Sequence, residues 1–283
     1  MEECMKPIGM LDSGVGGLTV AREVTRILPE EEIIYYGDTL HLPYGPRLLD
    51  EVKKFVHHII NFFLEEKKVK AVVLACNTAT SAALNEVEDE YDIPFFGTIK
   101  SVTSRAYKMS EKKRIGVIGT EGTVNSQAYQ KSLLDIDAEL KVFSAACPGF
   151  VDLVERGIFS GPEAEKMAHK YLDGLRESDI DVLILGCTHF PYLIPVLQKV
   201  MGEDVSLLSS GEAMAQQIRT VFKKEKLLHP DNHKSEISQQ EFIVSDKSRI
   251  SRTFLEKGRK YLKLPALEFK EYNIFNQDKQ KTV

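Results

Sequence analysis

Short apolar runs alternate along the chain with longer amphipathic segments. The runs are Ile8–Leu11, Glu32–Tyr36, Ala71–Ala75, Pro94–Ile99, Ile115–Ile118, Val182–Leu185 and Val205–Leu208. Continuous runs of this length are typical of strands that are buried on both faces of a parallel sheet. Between them, Leu48–Leu64 has its apolar residues on one face at helical spacing, and Leu18–Leu28 and Glu163–Leu175 are similar. This alternation predicts an α/β fold with a doubly wound, mostly parallel sheet.

Two parts of the chain resemble each other. Ile8–Gly14 is echoed by Ile115–Gly122, and Val72–Thr78 is echoed by Val182–His189, so that each half has a strand that ends at a cysteine. Two similar domains related by pseudo-symmetry would explain the repetition, and a chance match between two strand–helix units would explain it too. The best candidate for a linker is Lys108–Lys113.

The tail from about residue 211 has a different pattern. It predicts a helix at Glu212–Val221, a polar loop at Lys223–Gln239, a strand at Glu241–Val244 and a last helix. The pattern alone allows this tail to return to either domain.

Composition narrows the class of protein. The chain is 43% hydrophobic and 28% charged, which excludes wholesale disorder, and its net charge of −5 without a basic block disfavours nucleic acid or an anionic membrane as partner. The longest apolar runs are too short to span a membrane, and the acidic N-terminus does not resemble a secretory signal. The four cysteines lack metal-ligand spacing, so we expect no metal site and no disulfide scaffold, and a cytoplasmic protein with free thiols.

Cys76 and Cys187 each follow a predicted buried strand and precede residues that cap helices. A helix N-terminus favours the thiolate, and ligands of such sheets bind beyond the carboxyl ends of the strands. Two thiols in equivalent places suggest a site between two domains, although small buried cysteines that merely end strands give the same pattern. Cys4 and Cys147 lack this context.

Two loops at the same predicted edge are rich in turn-forming residues. Asp12–Gly17 ends the first strand and resembles an anion-binding turn, but it departs from the dinucleotide and P-loop patterns, so a nucleotide is weakly supported. Asp12 can cap the helix or bind an ammonium group. Gly37–Thr39 and Pro43–Gly45 follow the second strand and are either a ligand loop or a structural turn.

Two further residues are weaker candidates. Glu155 can be an ordinary solvated helix residue, and His189, beside Cys187, can either bond structurally or keep a thiol reactive. The other histidines have no comparable context and receive no predicted role: His41, His57, His58, His169, His229 and His233.

Taken together these motifs resemble the glutamate racemases of the aspartate/glutamate racemase superfamily. The matching segments are Asp12–Leu18, Gly37–Thr39, Pro43–Gly45, Cys76–Ala79, Ile118–Thr123, Leu153–Glu155 and Gly186–Pro191. The resemblance runs from about Lys6 to about Leu262. It implies interconversion of L- and D-glutamate without pyridoxal phosphate or metal, D-glutamate supply for peptidoglycan, and a homodimer in the cytoplasm.

The resemblance also implies an architecture and a set of functional residues. It implies a first domain of residues 1–99 plus 208–283, a second of residues 100–207, and an active site in the cleft between them. Cys187 would deprotonate L-glutamate and Cys76 D-glutamate, with Asp12, Glu155 and His189 assisting. The residues implied to bind substrate are Asp12, Ser13, Asp38, Tyr44, Gly45, Asn77, Thr78, Thr120, Thr123, Thr188 and His189.

The chain departs from the family pattern at Thr98–Val102, Ser209–Gly211 and Arg47, none of which is a catalytic position. The departures put the interdomain hinge in question more than the reaction. The alternatives are a racemase acting on aspartate or another amino acid, a catalytically silent amino-acid-binding regulator, and a nucleotide-binding enzyme.

Overall fold

The computed structural model describes residues 2–230, 240–263 and 267–279, which form two parallel β-sheets flanked by helices. The strands are β1 (Ile8–Asp12), β2 (Ile33–Gly37), β3 (Ala71–Leu74), β4 (Phe95–Gly97), β5 (Arg114–Gly119), β6 (Lys141–Ala146), β7 (Val182–Gly186), β8 (Ser206–Ser209), β9 (Glu241–Val244) and β10 (Phe269–Glu271). The helices are α1 (Leu18–Ile27), α2 (Leu49–Phe62), α3 (Asn77–Glu90), α4 (Thr98–Met109), α5 (Glu121–Asn125), α6 (Ala128–Ile136), α7 (Pro148–Glu155), α8 (Pro162–Glu177), α9 (Ile194–Met201), α10 (Ser210–Glu225) and α11 (Arg252–Leu262).

Both sheets repeat one strand order. The first sheet runs β10-β9-β2-β1-β3-β4 and the second runs β6-β5-β7-β8, with every pair parallel. The order β2-β1-β3-β4 therefore matches β6-β5-β7-β8 strand for strand, and β1 and β5 are equivalent. The predicted α/β class with two similar parallel sheets is confirmed.

The tail returns to the first sheet, where β9 pairs with β2 and β10 pairs with β9. The predicted domain boundaries stay a prediction. The boundary at 207/208 falls inside β8, which pairs with β7 of the second sheet through Ser209. Among the helices that the structure describes, none is long and apolar enough to cross a membrane.

The predicted positions of strands and helices are wrong at three places along the chain. β6 was not predicted because it is an edge strand whose residues are exposed or only partly buried. The predicted strand Pro94–Ile99 ends at Gly97, and Thr98 already begins α4. α10 extends to Glu225, so the predicted polar loop begins later than Lys223, and its residues 231–239, with His233, lie outside the described residues.

Candidate active site

The carboxyl ends of the two sheets meet around one small cavity. The loops after β1, β3, β5 and β7 contribute Ser13, Cys76, Thr120 and Cys187 to its wall. Its volume is about 20 Å³, which is room for little more than one water molecule. The cavity as it stands is therefore too small to hold an amino acid. The full lining is Ser13, Leu42, Pro43, Tyr44, Gly45, Cys76, Asn77, Thr78, Thr120, Val151, Gly186, Cys187, Thr188 and His189.

A larger outer cavity of about 310 Å³ adjoins the small one. The two cavities share the wall residues Leu42, Pro43, Gly45, Thr120 and Val151. These shared residues therefore form the wall between the outer cavity and the small cavity that holds the thiols.

Cys76 occupies the N-cap position of α3. Its side chain is 6% exposed, and its sulfur accepts a hydrogen bond from the backbone N–H of Ala79 at 3.5 Å. Burial, together with the negative charge of Asp12, raises the pKa of the Cys76 thiol to about 12 although the Ala79 N–H opposes this shift. Cys76 is therefore a protonated thiol near neutral pH.

Cys187 follows β7 at the equivalent position of the second sheet and is the first member of a chain of polar contacts. Its Sγ lies 3.7 Å from Nδ1 of His189, and Nε2 of His189 lies 2.6 Å from Oε1 of Glu155. Burial alone would lower the pKa of His189, but the hydrogen bonds to Cys187 and Glu155 outweigh it and the pKa lies well above its usual value. A protonated imidazole donates from both nitrogens, so His189 can donate to Cys187 Sγ and to Glu155 Oε1 at the same time.

The raised pKa of His189 should make the free energy of unfolding depend on pH. Because the folded-state pKa of His189 is raised, its contribution is fully present below the unfolded pKa of about 6.5 and is lost as pH rises toward the folded value. Relative to His189→Asn, the wild type should lose at most about 1.4 kcal/mol of unfolding free energy per pH unit above this point. Urea unfolding of both proteins from pH 6 to 9 measures the difference, and a constant difference would contradict the assignment.

Asp12 connects the two halves. Its fully buried carboxylate accepts hydrogen bonds from the N–H of Gly14 and from Oγ1 of Thr188, both at 3.1 Å. Burial raises the pKa of Asp12, and the charge of His189 and these hydrogen bonds oppose that rise. A Cβ on Gly16 would lie 2.5 Å from Nδ1 of His189, so only glycine permits the turn after β1 to approach the imidazole this closely.

Asparagine and threonine side chains line the side of the cavity where α3 meets α5. Oγ1 of Thr78 lies 3.0 Å from Oγ1 of Thr120 and 3.2 Å from Oγ1 of Thr123. Asn77 accepts a 2.5 Å hydrogen bond from the hydroxyl of Tyr129 through Oδ1. Its buried Nδ2 has no hydrogen-bond partner among residues 2–230, 240–263 and 267–279, which leaves a donor at the cavity wall.

Tyr44 and Gly45 form the wall on the side of the first sheet. The Tyr44 hydroxyl donates to Oδ2 of Asp38 at 2.7 Å, and the carbonyl of Gly45 accepts from the N–H of Gly122 in the second half at 2.8 Å. A Cβ on Gly45 would lie 2.6 Å from Cβ of Thr120, so at Gly45 the backbone of the first half packs closely against the second half.

The structure brings the candidate residues together in two groups. Those that line the cavity are Ser13, Tyr44, Gly45, Cys76, Asn77, Thr78, Thr120, Cys187, Thr188 and His189. Those that contact a lining residue from behind are Asp12, Asp38, Thr123 and Glu155. Their roles stay predictions. Cys4 and Cys147 do not line the cavity.

Sequence reasoning missed several residues at this site. Leu42 and Val151 line the cavity, and Tyr129 holds Asn77. Leu42 directly precedes the candidate loop Pro43–Gly45, which was a usable signal. No sequence signal points to Tyr129, because an isolated tyrosine in a helix does not reveal a partner 52 residues away.

Comparison with known proteins identifies the family of the chain. Residues 14–218 match the Asp/Glu/Hydantoin racemase family. A glutamate racemase from Thermoanaerobacter sp. is 43% identical over 250 residues, which covers 88% of this chain and 92% of that protein.

Solved structures of glutamate racemases have the same fold. An isoform from Bacillus anthracis superimposes with a TM-score of 0.87 at 37% identity, covering 95% of this chain and 97% of that one. The enzyme from Francisella tularensis, solved with D-glutamate, gives a TM-score of 0.86 at 30% identity and covers 96% and 99%. The chain therefore belongs to the Asp/Glu/Hydantoin racemase family, among its glutamate racemases.

Proposed function

We propose that this protein interconverts L- and D-glutamate by moving the α-proton between Cys187 and Cys76. The observation that carries the proposal is the placement of the two thiols. They follow the equivalent strands β7 and β3 of two sheets with the same strand order, and both line one cavity. Racemisation needs one base and one acid on opposite faces of the α-carbon, and this symmetry supplies them.

The two thiols have different surroundings, which suits them to different halves of the proton transfer. Cys187 lies beside an imidazole whose raised pKa keeps it protonated and which is paired with Glu155, whereas burial raises the pKa of Cys76 to about 12. The Cys187 thiolate takes the α-proton of L-glutamate, and the Cα–H electron pair stays on the α-carbon. The Cys76 thiol then gives its proton to the opposite face, which yields D-glutamate, a Cys76 thiolate and a Cys187 thiol.

The carbanion requires stabilisation because the α-proton of an amino acid is only weakly acidic. The substrate α-carboxylate gains negative charge as the proton leaves. Asn77 Nδ2 and the N-terminus of α3 offer donors at the cavity wall, and the buried site strengthens these interactions by excluding water. Asp12, which is hydrogen-bonded to the lining residue Thr188, is the carboxyl group that we assign to the substrate ammonium.

The cellular role follows from the family resemblance. D-Glutamate formed in the cytoplasm would enter peptidoglycan synthesis, and the enzyme would work as a homodimer, with neither a nucleic acid nor a membrane as partner. The net charge of −5 and the free thiols support this setting.

A direct assay is expected to separate the proposed reaction from its alternatives. Purified protein without added cofactor should convert L-glutamate to the racemate, measured by circular dichroism, with α-deuterium incorporation from D₂O measured by NMR. L-Aspartate, one methylene shorter, should have a kcat/KM at least about tenfold lower. Preferential turnover of L-aspartate would indicate an aspartate racemase, and binding without isotope exchange would indicate a silent regulator.

A further inference from the structure

The loop of residues 38–47, called here the Tyr44 loop, is organised around one buried carboxylate. Asp38 is fully buried and accepts hydrogen bonds from the Tyr44 hydroxyl at 2.7 Å, from Nδ1 of His41 at 2.8 Å and from Oγ of Ser245 at 3.0 Å. Two of these donors belong to the loop itself. The third comes from the tail, 207 residues later in the chain.

The tail holds the beginning of the Tyr44 loop at several points. Oγ of Ser245 also accepts from the N–H of Leu40 at 2.8 Å. Thr39 donates through Oγ1 to the carbonyl of Asp246 at 2.6 Å and accepts from the Asp246 N–H at 2.9 Å. Because β9 pairs in parallel with β2, the turn after β9 lies directly beside the loop that follows β2.

Aromatic rings cover the outer side of the loop. The His41 ring stacks on Phe55 with centroids 4.0 Å apart and meets Phe275 of the tail edge-on at 4.6 Å. Arg47 donates through Nε to the carbonyl of His41 at 2.7 Å and lies over the same Phe55 ring. The imidazole is thereby fixed with Nδ1 toward Asp38.

The inner side of the loop is the wall of the active-site cavity. Tyr44 is 1% exposed, and Gly45 contacts Gly122 and Thr120 of the second half. A displacement of the loop therefore changes the shape of the cavity and the closure of the first half on the second. Because Asp38 holds Tyr44, the groups that donate hydrogen bonds to Asp38 determine the position of this wall.

We propose that Ser245 and His41 are positioning residues for substrate binding, acting through Asp38 on Tyr44 and Gly45. Neither lines the cavity. The inference rests on the proposed function and adds to it that the tail is a working part of the active site. Loss of the Ser245 hydroxyl leaves Asp38 and the Leu40 N–H each short of a hydrogen bond and so weakens the attachment of the loop to the tail.

A double-mutant cycle on Ser245→Ala and Tyr44→Phe tests the proposal. Either change alone is expected to raise KM for glutamate about tenfold, because loss of a hydrogen bond to a charged group is of that order, while kcat changes less because the thiols stay in place. If both act through Asp38, the double variant should be little worse than either single variant. Multiplying effects would contradict the proposal.

The matched control is Ser248→Ala in the same turn of the tail. Its exposed hydroxyl bonds to Asp246 and not to the loop, so KM should not change. If Ser245→Ala does not fold, His41→Phe replaces it, since phenylalanine keeps the ring stack and loses the hydrogen bond to Asp38. Its KM should rise in the same way, and an unchanged KM would overturn the role of His41.

Amide hydrogen exchange supplies a readout that does not depend on turnover. Ser245→Ala, or His41→Phe in its place, should speed exchange in residues 38–47 at least about tenfold, and Ser248→Ala should not. Unchanged exchange in the loop would overturn the proposal even if the wild type racemises glutamate. A different result is that the wild type fails to racemise glutamate while Ser245→Ala still exchanges faster than the wild type in residues 38–47. That result would contradict the proposed function and leave the role of Ser245 standing.

Discussion

Cys76→Ala and Cys187→Ala should each lower the rate of glutamate racemisation by about 10³-fold. Each variant lacks the group that removes or returns the α-proton on one face. The loss of kcat/KM must be equal in both directions, because enantiomers have equal free energies and the equilibrium constant is one. Circular dichroism with each enantiomer as substrate measures both directions.

The two variants should differ in one-sided isotope exchange. Cys76→Ala keeps Cys187 with its contacts to His189 and Glu155, so it should exchange the α-proton of L-glutamate in D₂O without inversion and leave D-glutamate unchanged. Cys187→Ala keeps only Cys76, whose pKa of about 12 makes its thiolate scarce. Its exchange of D-glutamate should therefore be much slower.

Cys147→Ala is the matched control, since Cys147 is buried but does not line the cavity. It should keep wild-type racemisation after any loss of stability is taken into account. Full activity in either active-site variant would contradict the two-thiol mechanism. Equal exchange of both enantiomers by one single-cysteine variant would contradict the assignment of one thiol to each face.

The sequence predicts those parts of the fold and site that have a local pattern. β1, β3, β5 and β7 are continuous apolar runs because both faces of a parallel sheet are covered, and the thiols follow β3 and β7 directly. The sequence did not predict β6, because this edge strand is partly exposed and has no continuous apolar run.

Contacts between distant segments have no local pattern and could not be predicted. Ser245 reaches Asp38 only because β9 adds to the first sheet beside β2, and the pattern left the destination of the tail open. His41 received no predicted role because its partners Phe55 and Phe275 lie on separate elements. The family resemblance supplied Tyr44, and the structure shows what holds it.

The buried ion pair between Lys70 and Glu31 is expected to have the largest effect on stability. Lys70 Nζ lies 2.5 Å from Oε2 of Glu31, and their side chains are 0% and 2% exposed. The same ammonium donates to the carbonyls of Cys4 and Leu227. It therefore joins the N-terminal segment, the turn before β2, the start of β3 and the chain after α10.

Lys70→Met should lower the free energy of unfolding by about 3–5 kcal/mol, because the Glu31 carboxylate stays buried without its cation. The two carbonyls also lose their charged donor. Adding Glu31→Gln should restore part of the loss, since the double variant no longer buries a charge. Lys53→Met is the control: its pair with Glu86 is 34% and 49% exposed, so solvent screens it and the variant should unfold much as the wild type does.

Urea unfolding followed by circular dichroism measures all four proteins. If the two halves unfold separately, urea unfolding shows two transitions. The loss of unfolding free energy in Lys70→Met should then appear in the transition of the first sheet, because Lys70 directly precedes β3. A loss no larger than that of Lys53→Met would mean that the cost of desolvating the buried pair nearly cancels its attraction. Because the pair lies outside the active-site wall, Lys70→Met that remains folded should keep its KM for glutamate, which separates stability from catalysis.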